Sequence, residues 1–378
     1  MMRHGLRAAV CILLILSFFI PAAAVRAESE QGIYVIEMST LTTLSEENAD
    51  AKIYPAGLTK LMSFLLFFEA LDNGEVKESD MVTVSPNAAS KGGTSVFLDA
   101  GSSYTFAELL KAAIVSSGND AAVALAEHIS GSEAAFTGKM NERAKELSVS
   151  PAFADPAGLD KKNLFSAREL GRIACELCKH NAFYKYSTIW TYTFTHNSGR
   201  ATELTSANKL IKTQGFDGIT TGSSSGGGYC LAASASSGKA RFIAIILGAP
   251  NSETRFETAR TLLNEACASY SVYEASRKGA RVKSQSISGA KKETVDICAA
   301  EDLVLLINKQ DEQGITKSIE IGELKAPLKA GDTVGALVVT LPDGEQKRVD
   351  LVCAEDIEES SVISALKKLL GMWLRGTA

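Results

Sequence analysis

Positive charge is in deficit here: 39 lysines and arginines stand against 44 carboxylates, a net charge of −5 over 378 residues. No concentrated basic run offsets this, so the sequence gives no support for a nucleic-acid partner. Histidine is scarcer still, with four in the chain. His128, His180 and His196 have no metal-ligand spacing among themselves, so no metal and no cofactor are expected. Cys175 and Cys178 have C-x-x-C spacing but lie in a helical pattern, and no second pair completes a zinc site; they read as buried thiols. No repeat of solenoid period is present. What remains is an ordinary globular composition, 46% hydrophobic and 22% charged, long enough for two domains with substantial cores.

The longest apolar run, Ala8 to Ile20, stands near the start of the chain. Arg3 and Arg7 precede it, and Pro21 and small residues follow, ending in Val25-Arg26-Ala27. A basic start, a short apolar middle and a small-residue end are the order of a secretory signal peptide, expected over residues 1–27. The run is too short for a membrane-spanning helix. Removing 1–27 takes three arginines and no acid, so the net charge falls from −5 to −8. Export permits disulfides, but spacing does not show which form.

Ile33 to Met38 predicts a strand, and Leu58 to Leu71 a buried helix. Thr105 with Glu108, and Ser166 with Glu169, are capping-box pairs that open helices reaching about Val115 and Cys178. Asp120 is the expected cap of a helix from Ala121 to Ile129. Tyr229 to Ala235 and Arg241 to Leu247 flank Ser236-Ser237-Gly238, a hairpin signal, and a helix follows from Glu253 with Ser252 as its cap. This predicts an α/β domain over 28–272 in which an antiparallel sheet carries flanking helices and a helical subdomain. Short strands with glycine and proline turns then predict a small all-β domain over 277–355. At the end, Val362, Ile363, Leu366, Leu369, Leu370, Trp373 and Leu374 recur on one helical face with Lys367, Lys368 and Arg375 off it. That pattern predicts a C-terminal amphipathic helix over 357–378 lying on a membrane surface rather than crossing it.

Three short stretches carry the chemistry. Pro55-Ala56-Gly57-Leu58-Thr59-Lys60 has the phrase and spacing of an S-x-x-K helix start, with glycine where serine would stand. Ser117-Gly118-Asn119 matches S-x-N and sits between two helices, where its side chains can face a cleft. Thr220-Thr221-Gly222 falls where a K-T-G strand would, with threonine in place of lysine. Together with Gly92-Gly93-Thr94-Ser95, Met140-Asn141 and Asp155-Pro156-Ala157-Gly158-Leu159, they make the chain resemble the low-molecular-mass penicillin-binding proteins. The resemblance is to their serine-type D-alanyl-D-alanine carboxypeptidases, over residues 31–270. It implies a β-lactamase/transpeptidase-like fold, and the β-domain with its terminal helix separates the chain from β-lactamases.

The resemblance also implies roles. A serine would attack the bond between two D-alanines, and the lysine three residues on, on the same helical face, would take its proton. Lys60 is then the base, and Gly57 leaves it no nucleophile. Ser117 and Asn119 would line the cleft. Thr220 lacks the cation that would face the substrate carboxylate, Thr221 keeps a hydroxyl for it, and Gly222 lets the peptide approach. The backbone N–H groups of Gly57 and Ser223 would form the oxyanion hole. Neither Thr59 nor Ser63 is placed to substitute for the serine.

The expected function is therefore that of an exported homologue, catalytically impaired, on the extracytoplasmic face of a bacterial cytoplasmic membrane. Its expected partners are the D-Ala-D-Ala stem peptide of peptidoglycan and the membrane surface. A working carboxypeptidase that removes the terminal D-alanine, and a structural adaptor with a vestigial cleft, are the alternatives.

Overall fold

The computed structural model describes residues 31–360. The expected signal peptide lies outside them, as does the expected terminal helix apart from residues 357–360. Those four run extended: Ile357 bridges to Leu328 and Glu359 to Ala290.

A five-stranded antiparallel sheet centres the first domain, in the order Thr43–Glu47, Gly32–Glu37, Ala240–Ala249, Gly228–Ser237, Phe216–Ser224. Its central strands are apolar at nearly every position because both faces are covered. Ile33, Val35, Phe242, Ala244 and Ile246 face the helix Ser252–Ser269 through Phe256, Ala259 and Leu263. The alternating set, Tyr34, Ile36, Ile243, Ile245 and Leu247, joins the core of the helical subdomain on the other side. This is the period-two alternation of a strand serving two cores at once.

Helices Lys60–Asp72, Phe106–Val115, Asn119–Ser130, Glu133–Glu146 and Ala167–Leu177 build that subdomain. The first of them is buried almost all round, and its Phe64, Phe67 and Phe68 pack against Phe106, Phe136 and Phe183. Both expected capping boxes form. Two caps differ from expectation by a residue or more. Gly118, not Asp120, precedes the helix Asn119–Ser130; the Asp120 carboxylate instead accepts from the N–H groups of Val96 and Leu98 and from Ser95 Oγ. At Ser252–Ser269 the cap is Asn251, whose side chain accepts from Thr254 N–H. The expected hairpin turn forms at Gly238, with φ of +62°. A second hairpin, Thr191–Thr195 with Ala201–Thr205, was not legible, since its threonine-rich strands lack a continuous apolar face.

The helix Ser252–Ser269 passes directly into the strand Tyr270–Ser276, which pairs with Leu303–Asn308. Beyond it a six-stranded sheet surrounds a separate small core of Ile287, Val295, Ile297, Leu337, Val349 and Leu351. Among the described residues all cysteines are free. Cys175 and Cys178 are buried, and burial pushes both thiols up, Cys178 to about 11.

Candidate active site

Lys60 opens the helix Lys60–Asp72 immediately after a 3-10 turn over Ala56–Thr59. It is 1% exposed, and its ammonium donates to Asn119 Oδ1 at 2.6 Å and to the Ala157 carbonyl at 2.8 Å. Burial pushes its pKa down to about 8, against the pull of the carboxylates of Asp155 and Asp120. Asn119 is held in the orientation this needs. Its Nδ2 donates to the Gly92 carbonyl at 2.8 Å and its backbone N–H to Thr94, which leaves Oδ1 for the lysine.

The Ala157 carbonyl is placed by Asp155. One carboxylate oxygen accepts from the N–H groups of Ala157, Gly158 and Leu159, the other from Leu159, Asp160 and Asn163 Nδ2. Burial raises the Asp155 pKa, but these donors outweigh it and hold the carboxyl below its usual range. The Asp-Pro-Ala-Gly-Leu stretch was visible in the sequence; its service to Lys60 was not.

The turn at Gly57 is gripped from several sides by glycines. A Cβ on Gly158 would stand 2.1 Å from the Ala56 carbonyl oxygen, one on Gly222 2.5 Å from that of Pro55, and one on Gly227 2.0 Å from that of Tyr54. Gly158 has φ of +77°, a conformation that favours glycine in any case. Gly57 itself completes the contact: a Cβ there would meet the Thr221 carbonyl oxygen at 2.6 Å and Ser117 Oγ at 3.4 Å. A serine at this position would require the turn or the facing strand Phe216–Ser224 to shift. Two residues beside the cleft, Ala56 and Ser117, hold φ of +49° and +58° without being glycine, a strain that concentrates at functional sites.

Gly57, Lys60, Ser117, Asn119, Thr221 and Gly222 thus converge. Ser223 is exposed on the same strand, and Thr220 is buried. Neither neighbouring hydroxyl stands in for a nucleophile: Thr59 is fully buried, and Ser63 Oγ donates to the Pro156 carbonyl at 2.6 Å. Arg255 escaped the sequence reading because an arginine on an amphipathic helix looks solvated. It is buried behind the strand and donates to the carbonyls of Gly222 at 2.8 Å and Cys230 at 2.9 Å. Tyr54 was missed too; its hydroxyl donates to the Gly158 carbonyl at 2.7 Å.

This geometry agrees with what comparison finds. Residues 21–251 match the D-alanyl-D-alanine carboxypeptidase family (Peptidase_S11), and residues 270–359 match the C-terminal domain of penicillin-binding protein 5. The chain belongs to the D-alanyl-D-alanine carboxypeptidase family. Among its relatives, DacF of Bacillus subtilis, a D-alanyl-D-alanine carboxypeptidase, is 34% identical over 92% of this chain and 91% of the relative. DacC of Escherichia coli, of the same description, is 33% identical over 84% of this chain and 81% of its own length. Penicillin-binding protein 5 of Haemophilus influenzae superposes with a TM-score of 0.76 at 29% identity, covering 87% of this chain and 97% of that one. The expected fold class, a transpeptidase-like α/β domain followed by an all-β domain, stands.

Proposed function

We propose that this member of the carboxypeptidase family binds peptidoglycan stem peptides ending in D-Ala-D-Ala without forming an acyl-enzyme. The observation that carries the reading is Gly57. The S-x-x-K spacing gives this position to the nucleophile, and the Thr221 carbonyl oxygen stands 2.6 Å from where a Cβ would be, too close for a side chain without a shift. Lys60 keeps its place and a lowered pKa, yet both of its hydrogen bonds go to carbonyl acceptors, of Asn119 and Ala157, and neither is to a hydroxyl it could activate.

Binding has separate support. Phe216–Ser224 is an edge strand of its sheet, so its outer backbone groups are available to an extended peptide laid alongside Thr221 and the Ser117 turn. Thr221 supplies a hydroxyl for the terminal carboxylate and, as an expectation from the family, the N–H groups of Gly57 and Ser223 face the peptide carbonyl. Signal-like residues 1–27 and the amphipathic pattern within 357–378 place the chain, in this proposal, on the extracytoplasmic face of a bacterial cytoplasmic membrane. Among the described residues no helix is long and apolar enough to cross a membrane.

A working carboxypeptidase is the second reading, favoured by the activity named for the relatives and by the retained Lys60–Asn119 pair. Titrating the chain with a D-Ala-D-Ala peptide while assaying free D-alanine separates the two. Saturable binding with no D-alanine released supports the proposal, release of D-alanine supports the second reading, and absence of binding leaves the adaptor.

A further inference from the structure

Beside the cleft, between the Ser117 turn and the strand carrying Thr220 and Thr221, lies a small, partly open cavity with about 10 Å³ of room for the centre of a water-sized sphere. Ile114, Val115 and Ile219 form part of its wall, and Ser187 and Asn208 supply polar groups. Those two are 5% and 4% exposed, and Ser187 Oγ and Asn208 Nδ2 have no hydrogen-bond partner in the protein. A buried amide or hydroxyl left unpaired is destabilising, so two in one small chamber point to an occupant.

The donor set decides what that occupant is. Asn208 Oδ1 accepts from the Leu210 N–H at 3.1 Å, which orients the amide and leaves the donor Nδ2 as its unpaired group. An occupant must therefore accept a hydrogen bond. Ammonium and other hydrogen-bearing cations have no lone pair to offer, a metal cation would meet an amide donor, and the volume is about that of one water rather than of a larger anion. A water accepts from Asn208 Nδ2 and exchanges a second bond with the Ser187 hydroxyl, which donates or accepts as needed. Gly218 also lines the chamber, and Asn208 Nδ2 lies 3.6 Å from where its Cβ would be.

We propose that this chamber is a built site for one internal water, which joins Asn208, the cap of the 3-10 turn Lys209–Lys212, to Ser187 at the end of the short helix Tyr184–Ser187, against a wall that includes Thr220 and Ser117. In this chain the link behind the third motif is then made by a neutral molecule. The proposal does not depend on whether the cleft acylates.

A high-resolution crystal structure of the purified chain, with a second crystal pressurised with xenon and a third soaked in a thallous salt, tests it. The expected result is a single fully occupied oxygen peak within hydrogen-bond distance of both Ser187 Oγ and Asn208 Nδ2, with no xenon and no thallium there. An empty chamber, bound xenon or bound thallium would each overturn the site as drawn. In solution, magnetic relaxation dispersion should count one fewer long-lived internal water in Ser187→Val than in the unaltered chain, with the far-ultraviolet dichroism unchanged. Equal counts in a folded variant would overturn the proposal, and if that variant does not fold, the crystal of the unaltered chain decides alone.

Discussion

Lys60 shows what burying one charged residue costs. Its ordinary pKa of 10.5 falls to about 8 in the fold because burial penalises the ammonium. Below pH 8 the lysine is charged whether the chain is folded or not, and the penalty is constant. Between 8 and 10.5 the unfolded chain holds more of the proton, so stability rises with pH across that window by about 3 kcal/mol, and above it this contribution is flat. Denaturant titrations of the unaltered chain and of Lys60→Met over this range should differ by that rise. Asp155 works in the opposite sense. Its lowered carboxyl contributes stability above the ordinary carboxylate range that is lost as pH falls through its folded pKa. Its surroundings are all donors, so Asp155→Asn would turn an amide NH₂ toward N–H groups and cost about 1–3 kcal/mol in urea unfolding. A neutral outcome would mean that the loop does not depend on the charge.

At the scale of elements, the hairpin from Phe216 to Ser237 closes onto the Tyr54–Leu58 turn through backbone, and glycine is what permits the approach. Gly226 and Gly227 are neighbours with opposite surroundings: a Cβ on Gly226 meets nothing within 4 Å, whereas one on Gly227 falls 2.0 Å from the Tyr54 carbonyl oxygen. Gly227→Ala is expected to lower stability by roughly 1–3 kcal/mol, and Gly226→Ala to change it by less than about 0.5 kcal/mol. Equal effects in thermal unfolding would show that the hairpin does not seat on the turn as described. Nothing local in the run Ser223 to Gly228 tells a glycine in a turn from one pressed against another chain segment. Elements with a strong local signal were legible: the capping boxes at Thr105 and Ser166, the hairpin at Gly238 and the buried helix from Lys60. Gly57, Lys60, Ser117, Asn119, Thr221 and Gly222 were legible as motif positions. What was not legible is long-range: Asp155 acting on Lys60 through Ala157, and Arg255 holding the Gly222 carbonyl from 33 residues away.

For the whole molecule, the β-domain has its own core and the chain leaves it pinned, with Ser360 N–H donating to the Gly289 carbonyl. Truncation after Ser360 therefore removes the proposed membrane helix without disturbing a described contact. The shortened chain should leave the membrane fraction and unfold at the same temperature as the full one; if it stays with the membrane, the attachment lies elsewhere. In this family's chemistry a β-lactam would leave a covalent acyl group on the nucleophilic side chain, and Gly57 has no side-chain oxygen to carry one. Intact-mass spectrometry of the purified chain after prolonged penicillin treatment measures this directly. The account predicts a spectrum with no added mass; a stable adduct equal to one penicillin, mapped by digestion to the cleft, would contradict it.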